Sequence, residues 1–293
     1  MEFFKTPNID FLSKRRIFFI LSSFLILSSL ILLFVKGPTY GIDFTGGTLI
    51  HIHTDKEITT SNLRSALHKI NLAKSEIQEI NLREHIIKYS EDVDSDSVVN
   101  FLKKNLNLNV EIERAEKVGP RIGKELRLKA IYAVLIGMIL MLIYIALRFN
   151  LSFGIASILA LFHDVIITLG IFILLSKEIT TSIIAAFLTI VGYSINDSIV
   201  ISDRIRENMK KRQGKFIEIA NRSINETLSR TIITAGTTLL VLMVLLLLGG
   251  PLLFDFALAL IIGIAVGTYS SIFIVAALVV EYEETRAKKS KKR

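Results

Sequence analysis

Long apolar stretches separated by short polar connections organise most of this chain. Uncharged runs cover residues 17–35, 130–147, 231–254 and 256–280. Two further stretches, 151–175 and 179–201, carry one carboxylate each, Asp164 and Asp197. A helix rises 1.5 Å per residue, so about 20 apolar residues cross the hydrocarbon of a bilayer. The pattern predicts a polytopic α-helical membrane protein with six transmembrane helices, the first over 17–35 and the other five within 130–280. Lys14, Arg15 and Arg16 precede the first span as they would in a secretory signal. That span is long for a signal core and lacks a small-residue cleavage pattern before Gly37 and Pro38, so it reads as a retained helix.

Residues 36–129 follow a different rule. Fifteen Lys and Arg nearly balance fourteen Asp and Glu, as in a water-soluble domain. Thr48 to His53 alternates with a period of two, whereas Leu63, Ala66, Leu67 and Ile70 recur at helical spacing after the candidate caps Thr60 and Ser61. Residues 77–89 read as one or two strands. Val98, Val99 and Leu102 follow the candidate caps Asp94 and Ser95, and residues 110–118 form a last strand. The order β-α-β(β)-α-β predicts a small α+β ferredoxin-like sheet with helices on one face.

Charge supplies the orientation. Residues 1–16, Arg148, 202–230 and 281–293 together carry nineteen Lys or Arg, while the short loops of the other side carry only Lys177. Basic connections stay in the cytoplasm, so both termini are expected there, with residues 36–129 outside. Residues 202–230 read as a basic surface helix, either an ordinary solvated one or a docking segment. The net charge of +8 lies at helix flanks and in the basic tail 281–293, where anionic lipids rather than nucleic acid are the expected partner. Cysteine is absent, which removes disulfides and thiolate chemistry.

An ionisable group at bilayer depth costs roughly 2.5–3.5 kcal/mol on insertion scales and persists where it meets protein, a partner charge or water. Asp197, next to Asn196, has Gly192, Tyr193, Ser194 and Ser198 around it, a polar stripe on a helix. Arg230 begins the next span with Thr234 and Thr237 at helical spacing, and an antiparallel connection sets it at a depth comparable to Asp197. A desolvated carboxyl favours its neutral form and an approaching guanidinium favours the ionised one, so the pair suits proton uptake and release. A static ion pair holding helices together is the other reading. Asp164 and His163 form either a second proton site or a buried polar contact. Gly263 and Gly267 form a GxxxG packing motif before Thr268, Tyr269, Ser270 and Ser271. His51 and His53 lie two apart on a strand and are expected to face solvent, since two ligands without a third make no metal site. No phosphate loop, metalloprotease helix or triad pattern is present, and hydrolysis is not indicated.

Six blocks taken in order resemble the SecD/SecF family of protein-export subunits, within the resistance-nodulation-division superfamily. They are residues 41–48 with Gly41, Asp43, Gly46 and Gly47; residues 118–126 with Gly119 and Pro120; residues 144–149; His163 and Asp164; residues 191–208 around Asp197; and residues 225–231 ending near Arg230. The resemblance implies a multi-pass protein of the bacterial inner membrane that uses a proton or sodium gradient, with no other cofactor, to assist late export after the SecA ATPase has acted. It assigns Asp197 and Arg230 to the ion pathway, with Asn196, Asp164 and His163 beside them. The implied partners are a separate SecD subunit, the SecYEG channel, YajC, YidC and preprotein substrates. Two other classes are a half-transporter exporting lipid or small solute and a scaffold that conducts no ion.

Overall fold

The computed structural model describes residues 7–148, 151–211 and 214–290. In chain order the helices are α1 (Arg15–Val35), α2 (Ile42–Thr45), α3 (Thr60–His68), α4 (Ser95–Leu106), α5 (Pro120–Arg148), α6 (Leu151–Leu174), α7 (Thr181–Lys211), α8 (Phe216–Leu248), α9 (Gly250–Ser270) and α10 (Ala276–Ser290). The strands are β1 (Thr39–Tyr40), β2 (Gly47–Thr54), β3 (Glu76–Asn81), β4 (Glu84–Tyr89), β5 (Val110–Val118) and β6 (Glu178–Ile179). The chain divides into a helical unit, residues 1–39, 133–178 and 182–293, and a sheet unit, residues 40–132 and 179–181.

Six helical segments of the described residues are long and apolar enough to cross a membrane. The last is continuous across α9 and α10, which a π-helical turn, Ser271–Val275, joins. Lipid-facing side chains explain the outward Ile20, Phe24 and Phe34 of α1 and Leu240, Val241 and Leu247 of α8. The bundle interior combines Ile145, Phe153, Leu161, Ile195 and Val275 with alanines 156, 160, 220, 276 and 277, which let backbones approach.

The charged residues 120–129 begin α5 and fall within the sheet unit, which runs to Tyr132. Pro120 suits the first helical position, and Glu125 pairs with Lys129 one turn on at 2.8 Å. Among the described residues, 202–211 and 216–230 continue α7 and α8 rather than forming a separate surface helix. The two helices are tied by Asn208 Nδ2 donating to Ser223 Oγ at 2.9 Å and by Arg204 Nε donating to Glu226 Oε2 at 2.7 Å.

In the sheet unit the strand order is β3-β4-β2-β5, antiparallel throughout, the arrangement expected for a βαββαβ ferredoxin-like fold. Residues 77–89 supply two strands, joined by a turn in which Asn81 Oδ1 accepts from the Arg83 N–H. The start of α3 shifts by one residue from the predicted caps, whereas α4 starts at its candidate cap Asp94. Thr59 caps α3 by accepting from the Asn62 N–H, and Asp94 caps α4 by accepting from the Asp96 and Ser97 N–H groups. The core gathers Ile50, Ile52 and Ile87 of the sheet with Leu63 and Leu67 of α3 and Val98 and Leu102 of α4.

Candidate functional site in the helical bundle

Four helices of the bundle converge on Asp164. It is fully buried on α6, and Oδ2 accepts from Ser194 Oγ of α7 at 2.6 Å and from Ser270 Oγ of α9 at 2.8 Å. His163 turns its Nδ1 to 2.8 Å from Asp164 Oδ1, and its Nε2 lies 3.1 Å from Ser22 Oγ of α1. Ser22 Oγ continues to Tyr269 Oη at 3.0 Å, whose O–H donates to the Phe18 carbonyl at 3.2 Å. Adjacent helical residues start about 100° apart, yet the two side chains swing together because each finds partners on neighbouring helices.

The donor inventory fixes the direction of this chain. With Tyr269 O–H committed to Phe18, Ser22 donates to Tyr269 and therefore accepts from His163 Nε2–H. Nδ1 and Oδ1 face each other across the buried contact between the two side chains. Hydroxyls thus connect His163 through Ser22 to Tyr269.

Close helix approach makes the cluster possible. A Cβ at Gly263 would collide with the Ile190 side chain, and one at Gly267 would meet Ser194 Cβ at 2.9 Å and Asp164 Oδ2 at 3.5 Å. A side chain at Gly170 would likewise strike Ser29 of α1. The GxxxG pair thus packs α9 against α7 and makes room for the carboxylate. At Gly192 a Cβ would meet nothing within 4 Å. The π turn begins at Ser271, whose Oγ lies 2.9 Å from Ser198 Oγ and donates to the Ser194 carbonyl at 3.2 Å.

The polar stripe around Asp197 divides between two faces. Ser194 and Ser198 join the Asp164 side, while Tyr193 Oη donates to Thr238 of α8 at 3.4 Å. Asp197 is 3% exposed, and its Oδ2 has no hydrogen-bond partner. Arg230 is exposed and makes no ion pair with Asp197 within 4 Å, so it acts on that carboxyl only through space. Asn196 is also exposed, on a face apart from the cluster. Thr234 and Thr237 return their hydroxyls to carbonyls of their own helix.

Within the sheet unit the glycine motif is a clasp. Gly46 has φ +78°, and a Cβ there would stand 2.8 Å from Pro120 Cα. Gly47, at φ +141°, would press on the Tyr89 carbonyl at 2.8 Å. Gly41 N–H donates to the Ile179 carbonyl at 2.9 Å, and Asp43 Oδ2 accepts from Thr181 N and Oγ1 at 2.8 and 2.7 Å. Gly119 has open space around it. His51 departs from the solvent-facing expectation: it is 8% exposed, with Nδ1 3.2 Å from Glu113 Oε2.

Sequence reading missed Ser22 and Ser29, lost among apolar neighbours, although their seven-residue spacing marks one helix face. It also missed Asn221 and Asn225, one turn apart on α8. Their side chains grip the backbone of the N-terminal segment: Asn225 Oδ1 accepts from Ile9 N–H, Asn221 Oδ1 accepts from Phe11 N–H, and both amides donate to the Ile9 carbonyl.

Comparison with known proteins places this geometry in a family. Residues 98–285 match the model of the C-terminal part of the protein export membrane proteins SecD/SecF, and residues 31–58 match the SecD/SecF GG motif. The protein translocase subunit SecF of Calditerrivibrio nitroreducens is 45% identical over 93% of each chain. The SecF of Haemophilus influenzae is 41% identical over 93% of this chain and 85% of its own. The crystal structure of SecDF from Thermus thermophilus, at 44% identity, superposes on 95% of this chain with a TM-score of 0.86. The chain spans 39% of that longer protein.

Proposed function

The chain belongs to the SecD/SecF family of protein-export membrane proteins, and from that premise we propose that it is a SecF-type subunit coupling an ion gradient to late preprotein export. The carrying observation is Asp197, buried in a membrane helix with one carboxylate oxygen unpartnered. A carboxyl so placed gains from taking up an ion or from a moving cation, and Arg230 stands near enough to act as that cation when the helices shift. Asp164 and His163 offer a second place for a proton. In this reading the coupling ion is a proton or sodium, the work follows the push of SecA, and the sheet unit lies outside the bacterial inner membrane with both termini in the cytoplasm.

SecD is the proposed partner, by analogy with the fused SecDF relative, of which this chain covers 39%. Asn196 and Arg230 fit that role, because polar side chains on a lipid face are costly until a neighbouring helix covers them. The SecYEG channel, YajC, YidC, preproteins and anionic lipids at the basic flanks complete the proposed setting.

The test is export into membrane vesicles with and without an imposed gradient, using Asp197→Asn, which keeps the shape and removes the charge. Assembly with SecD should persist while gradient-dependent export is lost, and Asp197→Glu should restore part of it. Full gradient dependence in Asp197→Asn would leave Asp197 structural and move the coupling to Asp164.

A further inference from the structure

The open face of the sheet brings together donors that the sequence scatters. His53 of β2 stands opposite Glu84 of β4 in the strand register, with Nδ1 3.6 Å from Glu84 Oε1, beyond hydrogen-bond length. Glu113 arrives by a different route. The pairing of β2 with β5 slips between His51 and Ile52, so that His51 faces Arg114 and Ile52 faces Ile112, leaving Glu113 as the extra residue of a bulge. Bulges re-aim side chains, and this one turns Glu113 toward both histidines. Ligand atoms of His53, Glu84 and Glu113 all lie within 4.8 Å of one another.

Two features set this cluster apart from ordinary surface charge. Arg114, the nearest guanidinium in sequence, turns to Glu116 instead of Glu113. Among the described residues, neither Glu84 nor Glu113 has a Lys or Arg partner within 4 Å. His51 is more than nine-tenths buried, points Nδ1 at Glu113 at 3.2 Å, and leaves Nε2 without a hydrogen bond. Two negative charges thus stand with two imidazoles and no resident cation from the protein.

We propose that His53, Glu84 and Glu113 bind a divalent metal ion of the zinc class, with His51 positioning Glu113. Imidazole with carboxylates is a donor set suited to borderline ions of this kind, at bonds of about 2.0–2.2 Å. Such bonds place tetrahedral ligands about 3.4 Å apart, close to the His53–Glu84 separation, and small rotations of the half-buried Glu84 and the exposed Glu113 side chains close the remainder. Three protein ligands leave a fourth position for water or a partner's side chain.

The chain has no cysteine and five histidines, which keeps the test clean. Full-length protein in detergent, stripped with a chelator, is loaded with Zn²⁺, desalted and assayed for retained zinc and affinity. Wild type should keep one ion per chain. His53→Gln and Glu84→Gln should each abolish retention, His51→Gln should weaken binding about 10–100-fold, and His68→Gln, at an exposed distant site, should bind as wild type does. The melting temperature of each metal-free variant reports whether it is folded. Wild type that retains no zinc, or retention unchanged in both His53→Gln and Glu84→Gln, overturns the proposal.

Discussion

The sheet unit encloses Ile50, Ile52, Leu67, Ile87 and Leu102 and leaves its carboxylates and amines outside. The helical unit also has an apolar interior, yet at its centre it encloses Asp164, His163, Ser194 and Ser270, and it turns Ile20, Phe24, Leu240 and Val241 outward. The difference lies in the solvent each unit meets. Water drives apolar side chains together in the sheet unit. Lipid offers no such drive between helices, so small residues, close backbones and internal hydrogen bonds hold the bundle.

Substitutions at the two centres sharpen that contrast. The largest effect is expected for Asp164→Ala, which strips partners from His163 and the hydroxyls of Ser194 and Ser270 at once. A loss of about 3–5 kcal/mol should appear as a collapsed melting transition in detergent. If Asp164→Ala melts as wild type does, the polar centre is not what holds the bundle. Ile87→Ala, in the sheet unit, should cost about 2–5 kcal/mol through the cavity it leaves, read from amide exchange in β2 and β4.

A smaller effect concerns His85, buried on β4 with no hydrogen bond to either nitrogen. Burial holds its pKa below the ordinary 6.5, against the pull of the Glu79 carboxylate. The unfolded chain therefore binds this proton more readily than the folded one. Stability is fully present above pH 6.5 and declines as pH falls below it. Exchange of β4 amides, corrected for intrinsic rates, should accelerate between pH of about 7.5 and about 5.5, and His85→Gln should flatten that dependence. The smallest effect is at Asp92, an exposed carboxyl held below its usual range by hydrogen bonding and charge from Lys117. Asp92→Ala should leave the melting temperature unchanged, because solvent screens the pair.

Helix adjacency offers a further check. Cysteines replacing Ser198 of α7 and Ser271 of the π turn, whose hydroxyl oxygens stand 2.9 Å apart, should crosslink under oxidation, and the absence of native cysteine removes background. A pair that never crosslinks while distant control pairs do would reject this packing.

Much of this was written locally. Apolar length marks the six spans, four of them uncharged and two interrupted by a single carboxylate each, since the bilayer sets a minimum length. Period-two alternation and capping residues mark the βαββαβ order, and six motif blocks mark the family. Side-chain partnership needed the tertiary structure, because it depends on residues far apart in sequence meeting at a particular depth and angle. Ser22 lies 141 residues from His163, and its spacing from Ser29 marks a helix face without telling which partner α6 brings to it. Asn196 and Asp197 are neighbours in sequence, yet one is exposed and the other buried, because a helix turns successive residues to different surroundings. His51 and His53 were two ligands without a third until a one-residue slip between β2 and β5 carried Glu113 to their side. Register is a property of paired strands, and no single strand encodes it alone.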